Sequence, residues 1–170
     1  MDVLFKNSYE RNEMVVKEMY RYFYLRKLMI FIYAVMFLAL LEGIAFLIKG
    51  EIVGAYLIIL VLVYFVLKIT SYFRTVKLII RRDKEMNAGA LARIETSVMD
   101  SYVEFVGSNN SVTRLGYDKI KQAVLTKNLI LLRSETKLMY VLHKDGFEIG
   151  ACDDFVGFLK SKEIVVKGKL

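Results

Sequence analysis

Two apolar runs separated by a short polar break dominate the pattern of hydrophobic and polar positions along the chain. The runs occupy residues 28–48 and 52–69, the break is 49–51, and Glu42 and Lys68 are the only charged residues inside the runs. A bilayer core of about 30 Å is crossed by about 20 apolar residues in a helix that rises about 1.5 Å per residue. The pattern therefore predicts a transmembrane hairpin of two helices.

The segments on either side of this hairpin have a helical period of their own. Val15, Met19 and Phe23 recur at intervals of four, which predicts a helix over residues 9–27 that runs into the first span. Residues 70–86 continue the second helix, and the stretch from Asn87 to Gly89 interrupts the pattern. We expect residues 1–27 to form a juxtamembrane helix and 74–93 to form a basic helical linker.

From residue 94 onward the apolar residues change to short runs that are typical of β-strands. A short helix then begins at Asp153, with Phe155, Phe158 and Leu159 on one face. The predicted fold class is membrane α+β: a transmembrane hairpin, then a small antiparallel β domain over 94–170 that ends in a helix. The predicted strands are 94–99, 102–106, 111–116, 120–126, 129–133 and 138–142, with turns at 107–110, 134–137 and 145–146.

Composition supports the membrane assignment and excludes several classes of site. Hydrophobic residues make up 56% of the chain, which is more than in a typical soluble domain, and the mean hydropathy is positive. A secretory signal is not expected, because 27 residues precede the first run and no small-residue cleavage site follows it. Two adjacent runs of this length also disfavour a buried core helix. One Cys and one His cannot supply a disulfide framework or a common zinc site, so no metal or cofactor is expected.

The net charge of +7 is concentrated beside the hairpin. Residues 1–27 and 70–93 hold six basic residues each, whereas the turn between the spans holds only Lys49. The positive-inside rule then places both termini in the cytoplasm and the turn outside the cell membrane. We expect contact with anionic lipid headgroups and no nucleic-acid partner, since the β domain has no basic stripe. The expected interface anchors are Arg21, Arg26, Lys27, Tyr72, Arg74 and Lys77.

Four features of the layout occur together: a basic and aromatic N-terminus, a tight two-span hairpin, the run from Gly116 to Ile120, and the run from Gly146 through Gly150 and Phe155 to Leu159. In these features the chain resembles the YcxB-like family of small bacterial membrane proteins. The resemblance implies that the C-terminal domain is similar to a pleckstrin-homology fold. The family carries no established reaction, so the resemblance implies a fold and no particular activity.

Glu42 is the most notable candidate for a functional residue, because a carboxylate inside a span is costly unless it is paired or hydrated. It could pair with Lys49 or a neighbouring copy, or extend towards the outer surface. Lys68 is expected to be an anchor that extends to the inner surface. Small residues at intervals of four permit close helix packing, either inside one hairpin or between subunits. These are Ala39 and Gly43 in the first helix, with Gly50 and Gly54 near the turn.

No catalytic constellation is apparent. Cys152 lies at a helix start, but nothing brings His143 close enough to act as its base. Asp153 and Asp154 are explained by capping and by the helix dipole. We therefore expect a non-enzymatic, membrane-anchored cytoplasmic binding or regulatory domain. It would bind a protein partner through an exposed sheet edge, or sense the membrane surface. The alternative is a homo-oligomeric channel or pore component with Glu42 facing the path.

Overall fold

The computed structural model describes residues 2–23 and 26–168, and it leaves the side chains of residues 23–28 undescribed. The chain divides into two compact units. The hairpin unit is the segment from Tyr20 to Leu78. The β unit combines the residues up to Met19 with those from Ile79 onward.

Four helices and nine strands are described, together with two short 3-10 turns. The helices are α1 (Glu13–Phe23), α2 (Arg26–Ile48), α3 (Val53–Met86) and α4 (Cys152–Ser161). The strands are β1 (Phe5–Glu10), β2 (Arg93–Val98), β3 (Tyr102–Val106), β4 (Val112–Gly116), β5 (Ile120–Leu125), β6 (Leu129–Ser134), β7 (Met139–His143), β8 (Phe147–Ile149) and β9 (Val165–Lys167).

The hairpin unit contains the two long apolar helices that the sequence predicts. Helices α2 and α3 are each long and apolar enough to cross a membrane. Only 6% and 11% of their most apolar 18-residue stretches are buried, which distinguishes them from the core helices of a soluble protein. The predicted continuation through residue 86 is confirmed, because α3 ends at Met86 and turns follow.

Two sheets form the β unit. The first has the order β4-β3-β2-β1-β8 and the second has the order β7-β6-β5-β9. The pairs are antiparallel except for β5 and β9, which run parallel. The sheet region is therefore mixed, whereas the sequence predicts an antiparallel sheet. Each of the six predicted strands is present within one residue at either end.

The main core contains side chains from both sheets and from α4. Phe155 and Leu159 of α4 are fully buried against this core, as the predicted apolar face requires. A second apolar cluster lies on the other face of β6, where Val15 of α1 and Tyr9 of β1 contact Leu129 and Leu131. Strand β6 is thus covered on both faces, which explains why its sequence is a continuous apolar run.

The N-terminal segment corrects the predicted domain plan. Residues 1–27 were expected to be a juxtamembrane helix, but Phe5–Glu10 is strand β1 and pairs with β2 and β8 inside the first sheet. The β domain is therefore not the continuous segment 94–170. The buried positions of strand β1 are Asn7 and Tyr9. Because Asn7 is polar, the strand does not show the alternation of apolar and polar residues by which a strand is predicted.

Candidate functional site

Strand β4 is a five-residue edge strand of the first sheet, with no described strand on its free side. It pairs with β3 alone among the described strands. Leu115 points into the core, whereas Val112, Thr113 and Arg114 are exposed. Arg114 is held in place, because its Nε donates to Glu104 Oε2 at 2.6 Å. The edge is therefore both ordered and open.

The backbone groups of β4 alternate between β3 and the open side. The amide of Gly107 donates to the carbonyl of Ser111 at 2.9 Å, which makes these two residues a hydrogen-bonded pair. Opposite residues alternate along an antiparallel ladder between bonded and non-bonded pairs. The pairs Val106–Val112 and Glu104–Arg114 are thus non-bonded. The N–H and C=O groups of Val112 and Arg114 consequently point outward, where another strand could bond to them.

The remaining edges are shorter or already engaged. Strands β8 and β9 have only three residues each. On β7, His143 donates its amide to Asn7 Oδ1 at 3.1 Å, and its carbonyl accepts from Asn7 Nδ2 at 2.7 Å. Asn7 is fully buried, so its side chain replaces a backbone partner at the end of β7. Strand addition is therefore easiest at β4.

A buried ion pair attaches the N-terminal segment to the end of α3. Arg11 Nε donates to Asp83 Oδ2 at 2.7 Å, and a second guanidinium nitrogen bonds the other carboxylate oxygen. Asp83 is only 5% exposed, and the pairing raises the pKa of Arg11. Asn87 Nδ2 donates to the Asp83 carbonyl at 2.5 Å. The two hydrogen bonds to Asp83 hold Arg11, which follows β1, against the last turns of α3.

Glu18 attaches helix α1 to the turn between β5 and β6. Its carboxylate accepts from the amide and the side chain of Asn128, both at 2.9 Å, and from the hydroxyl of Thr126. Burial raises the pKa of Glu18, but the hydrogen bonds outweigh it and lower the pKa below its ordinary value. The sequence analysis missed Asn7, Arg11, Asp83 and Glu18. Asp83 stands out in the sequence as an acidic residue within a basic run, which could have suggested an ion pair.

In the hairpin unit, a polar pair joins the two apolar helices. Lys68 Nζ donates to the Tyr33 hydroxyl at 2.6 Å and lies 4.1 Å from the centre of the Tyr33 ring. The Tyr64 ring centre is 5.9 Å from the same nitrogen, and Phe65 stacks on Tyr33 at 6.3 Å. Lys68 was expected to be an anchor that extends to the inner surface, and the structure adds that it has an aromatic partner on α2.

Glu42 is exposed on the surface of the hairpin unit. Among the described residues, no ion pair joins Glu42 to Lys49, whose ammonium lies 6.0 Å over the ring of Phe46. The intramolecular pair considered from the sequence is therefore not formed. Its carboxylate faces the surroundings of the hairpin.

Gly43 and Gly54 bring the two helices together inside one hairpin. A Cβ atom at Gly54 would clash with the Gly43 carbonyl oxygen and would lie 2.7 Å from the amide nitrogen of Leu47. This geometry fits the prediction of close packing inside one hairpin. Gly50 corrects part of it, because it has a φ of +79° in the turn and a Cβ atom there would meet no other atom within 4 Å, so its small size serves the turn and not helix packing. Ala39 is half-buried.

Three of the predicted interface anchors are exposed, and Tyr72 is half-buried. Arg21, Arg74 and Lys77 are exposed, and Tyr72 packs edge-on against Tyr20 with ring centres 5.1 Å apart. The side chains of Arg26 and Lys27 lie outside the described residues.

Among the described residues, no hydrogen bond joins Cys152 to His143. Burial raises the pKa of the Cys152 thiol, which opposes thiolate formation. His143 Nδ1 accepts from the amide of Asp145 at 3.2 Å. Ala151 is the N-cap of α4, so Asp153 and Asp154 lie in the first turn and neither caps it. No cluster of metal-binding side chains is present among the described residues.

Comparisons with protein-family models, curated proteins and solved structures find no significant match to this chain.

Proposed function

We propose that the chain is a membrane-anchored cytoplasmic adaptor that binds a protein partner by adding the partner's strand to β4. The hairpin unit would be its anchor, because exposed apolar surface of this extent needs lipid around it. The basic residues of segments 1–27 and 70–93 favour the inner face of the cell membrane for both termini.

The two-sheet architecture is the feature that we compare with the pleckstrin-homology fold expected from the sequence. Strands β2, β3 and β4 belong to one sheet, β5, β6 and β7 belong to the other, and α4 packs its apolar face into the core. This order of elements fits the fold that the resemblance implies. We do not expect the β unit to recognise a specific lipid headgroup, because the turn between β3 and β4 has no Lys or Arg.

The outward N–H and C=O groups of Val112 and Arg114 are the observation on which the adaptor function depends. Edge strands that are long, ordered and uncovered readily accept another strand. Exposed Val112 adds apolar surface beside these groups, and Arg114 adds a positive charge that is partly neutralised by Glu104. We expect the partner to present an extended segment with an apolar residue opposite Val112.

Photo-crosslinking in cells tests this function. A crosslinking residue at Val112 should capture a recurrent partner. Arg114→Pro should abolish the crosslink, because proline removes the outward N–H while leaving the bonds between β3 and β4 intact. Arg114→Ala is the matched control, since it loses the same side chain and keeps the N–H. A crosslink that survives Arg114→Pro, or that arises equally from a probe at Val165 on β9, would contradict strand addition at β4.

One observation favours the oligomeric pore as a second candidate. Glu42 is exposed and has no partner among the described residues, which is costly for a carboxylate within an apolar helix unless a neighbouring copy or water meets it. Two helices in each chain require several copies to surround a path. A Glu42→Gln variant should then lose conductance and change the oligomer size in mild detergent. A monomeric wild-type protein would exclude this candidate.

A further inference from the structure

Lys68 and Tyr33 place two hydrogen-bond donors side by side on the hairpin unit. The Tyr33 hydroxyl accepts from Lys68 Nζ at 2.6 Å, so its own hydrogen remains available to donate. An ammonium carries three donors, and this contact uses one of them. No acceptor for the Tyr33 hydrogen is present among the described residues. Lys68 is half-buried and Tyr33 is exposed, so an oxyanion from outside the protein can reach both side chains.

The pair lies near the end of the two apolar runs that adjoins basic sequence. Lys68 is next to the end of the second apolar run, and Tyr33 is five residues after the start of the first. Both therefore lie near the same end of the hairpin, at the boundary between apolar and basic sequence. Tyrosine and lysine side chains favour that boundary. Ser71 follows Lys68 by three positions, is exposed, and adds a hydroxyl on the same side of α3.

Apolar residues continue from the donor pair towards the middle of α2. Phe37 and Leu41 follow Tyr33 at intervals of four, and they are 60% and 47% exposed. They lie on the same side of the helix as Tyr33. A lipid can place its phosphate on the two donors and its acyl chain along this stripe. A soluble phosphate would satisfy only the donors.

We propose that Lys68 and Tyr33 bind the phosphate of an anionic phospholipid, with Ser71 at the rim and the acyl chain against Phe37 and Leu41. The inference rests on the membrane anchoring proposed above. Lys68 supplies the charge, Tyr33 holds the ammonium and donates the second hydrogen bond, and the ring of Tyr64 limits where the ammonium can move. The site would select anionic lipids over zwitterionic ones, because a choline group would repel the ammonium.

Retention of lipid in the full-length protein tests the site. The protein is reconstituted in phosphatidylcholine bilayers that contain phosphatidylglycerol, and the lipids that remain bound after extraction are measured by native mass spectrometry. Wild type should retain phosphatidylglycerol preferentially. The preference should fall about tenfold in Lys68→Gln, which loses a charged bond, and about threefold in Tyr33→Phe, which loses a neutral one.

Lys49→Gln is the matched control. Lys49 lies in the turn between the two apolar runs, at the other end of the second run from Lys68, and its replacement should leave the preference unchanged. An equal loss in Lys49→Gln, or none in Lys68→Gln, would overturn the site in favour of diffuse charge. Displacement of the retained lipid by inorganic phosphate would also overturn it, because the site would then take a soluble anion.

Membrane extraction at alkaline pH separates this result from the anchoring itself. A wild-type chain that stays in the membrane pellet but retains no particular lipid contradicts the lipid site alone. A chain that is washed into the supernatant contradicts the anchoring on which the site rests.

Discussion

The β unit and the hairpin unit differ in how far their apolar side chains are exposed. Phe155 of the β unit is fully buried, whereas Phe37 of the hairpin unit is 60% exposed. Polar groups differ as well: Asn7 and Asp83 are buried and bonded in the β unit, whereas Glu42 is exposed on the hairpin unit. The contrast fits the proposal that the two units have different surroundings, water for one and lipid for the other.

The sharpest test of this contrast removes the same aromatic ring from each unit. Phe155→Ala should destabilise the β unit by about 3–5 kcal/mol, because it leaves a cavity in the core. Phe37→Ala should leave the stability of the β unit unchanged, because the ring is exposed on the other unit. Urea unfolding followed by near-ultraviolet circular dichroism measures both variants. Equal losses would contradict the division into two units.

The next test concerns the buried ion pair of the β unit. Asp83→Asn should lower the free energy of unfolding by about 2 kcal/mol, because it leaves the Arg11 guanidinium without its bidentate partner. Glu85→Gln makes the same chemical change on the same helix, where the pair with Arg81 is exposed, and should have little effect. Thermal unfolding of both variants compares them. Similar shifts would show that burial of Asp83 contributes nothing.

Two glycines sharpen the comparison by responding in opposite directions. Gly54→Ala should destabilise the hairpin by about 1–3 kcal/mol, since the added methyl group meets the backbone at Gly43 and Leu47. Gly157→Ala lies in α4 with open space around it and should stabilise the β unit by up to about 1 kcal/mol through helix propensity. Thermal scans in detergent should move in opposite directions. Stabilisation by Gly54→Ala would contradict the close crossing.

The smallest expected effect depends on pH. The folded-state pKa of Glu18 is lowered, so its hydrogen bonds stabilise the β unit above the ordinary glutamate pKa of 4.5, and this stability is lost as pH falls through the folded-state pKa. The difference in urea midpoint between wild type and Glu18→Gln should therefore shrink on acidification below that value. A difference that stays constant across this range would show that Glu18 does not act as a carboxylate.

Local sequence patterns predict most of the helices and strands. They miss the elements that depend on contacts between residues distant in sequence. The apolar runs over 28–48 and 52–69 and the six strands after residue 94 carry their period in neighbouring residues. Strand β1 does not, because Asn7 is buried only through its bonds to His143, which is distant in sequence. Strands β8 and β9 are too short to show a period.

The candidate sites divide in the same way. Lys68 and Glu42 are visible in the sequence as charges within apolar runs, but the pairing of Lys68 with Tyr33 depends on how two helices cross. The open edge of β4 depends on the order of strands in the sheet, which the spacing of strands along the chain does not determine. Exposed edges in general were expected, while the choice of β4 required the register.

Accessibility labelling tests the membrane-anchored arrangement most directly. Cys152→Ser removes the native thiol, and single cysteines are then introduced as Glu51→Cys in the turn and Asn109→Cys in the loop between β3 and β4, both at exposed positions. A maleimide that cannot cross membranes should label position 51 in intact cells and position 109 only after the cells are permeabilised. Labelling of position 109 in intact cells would contradict a cytoplasmic β unit. Failure to label position 51 until the cells are permeabilised would contradict a hairpin that spans the membrane.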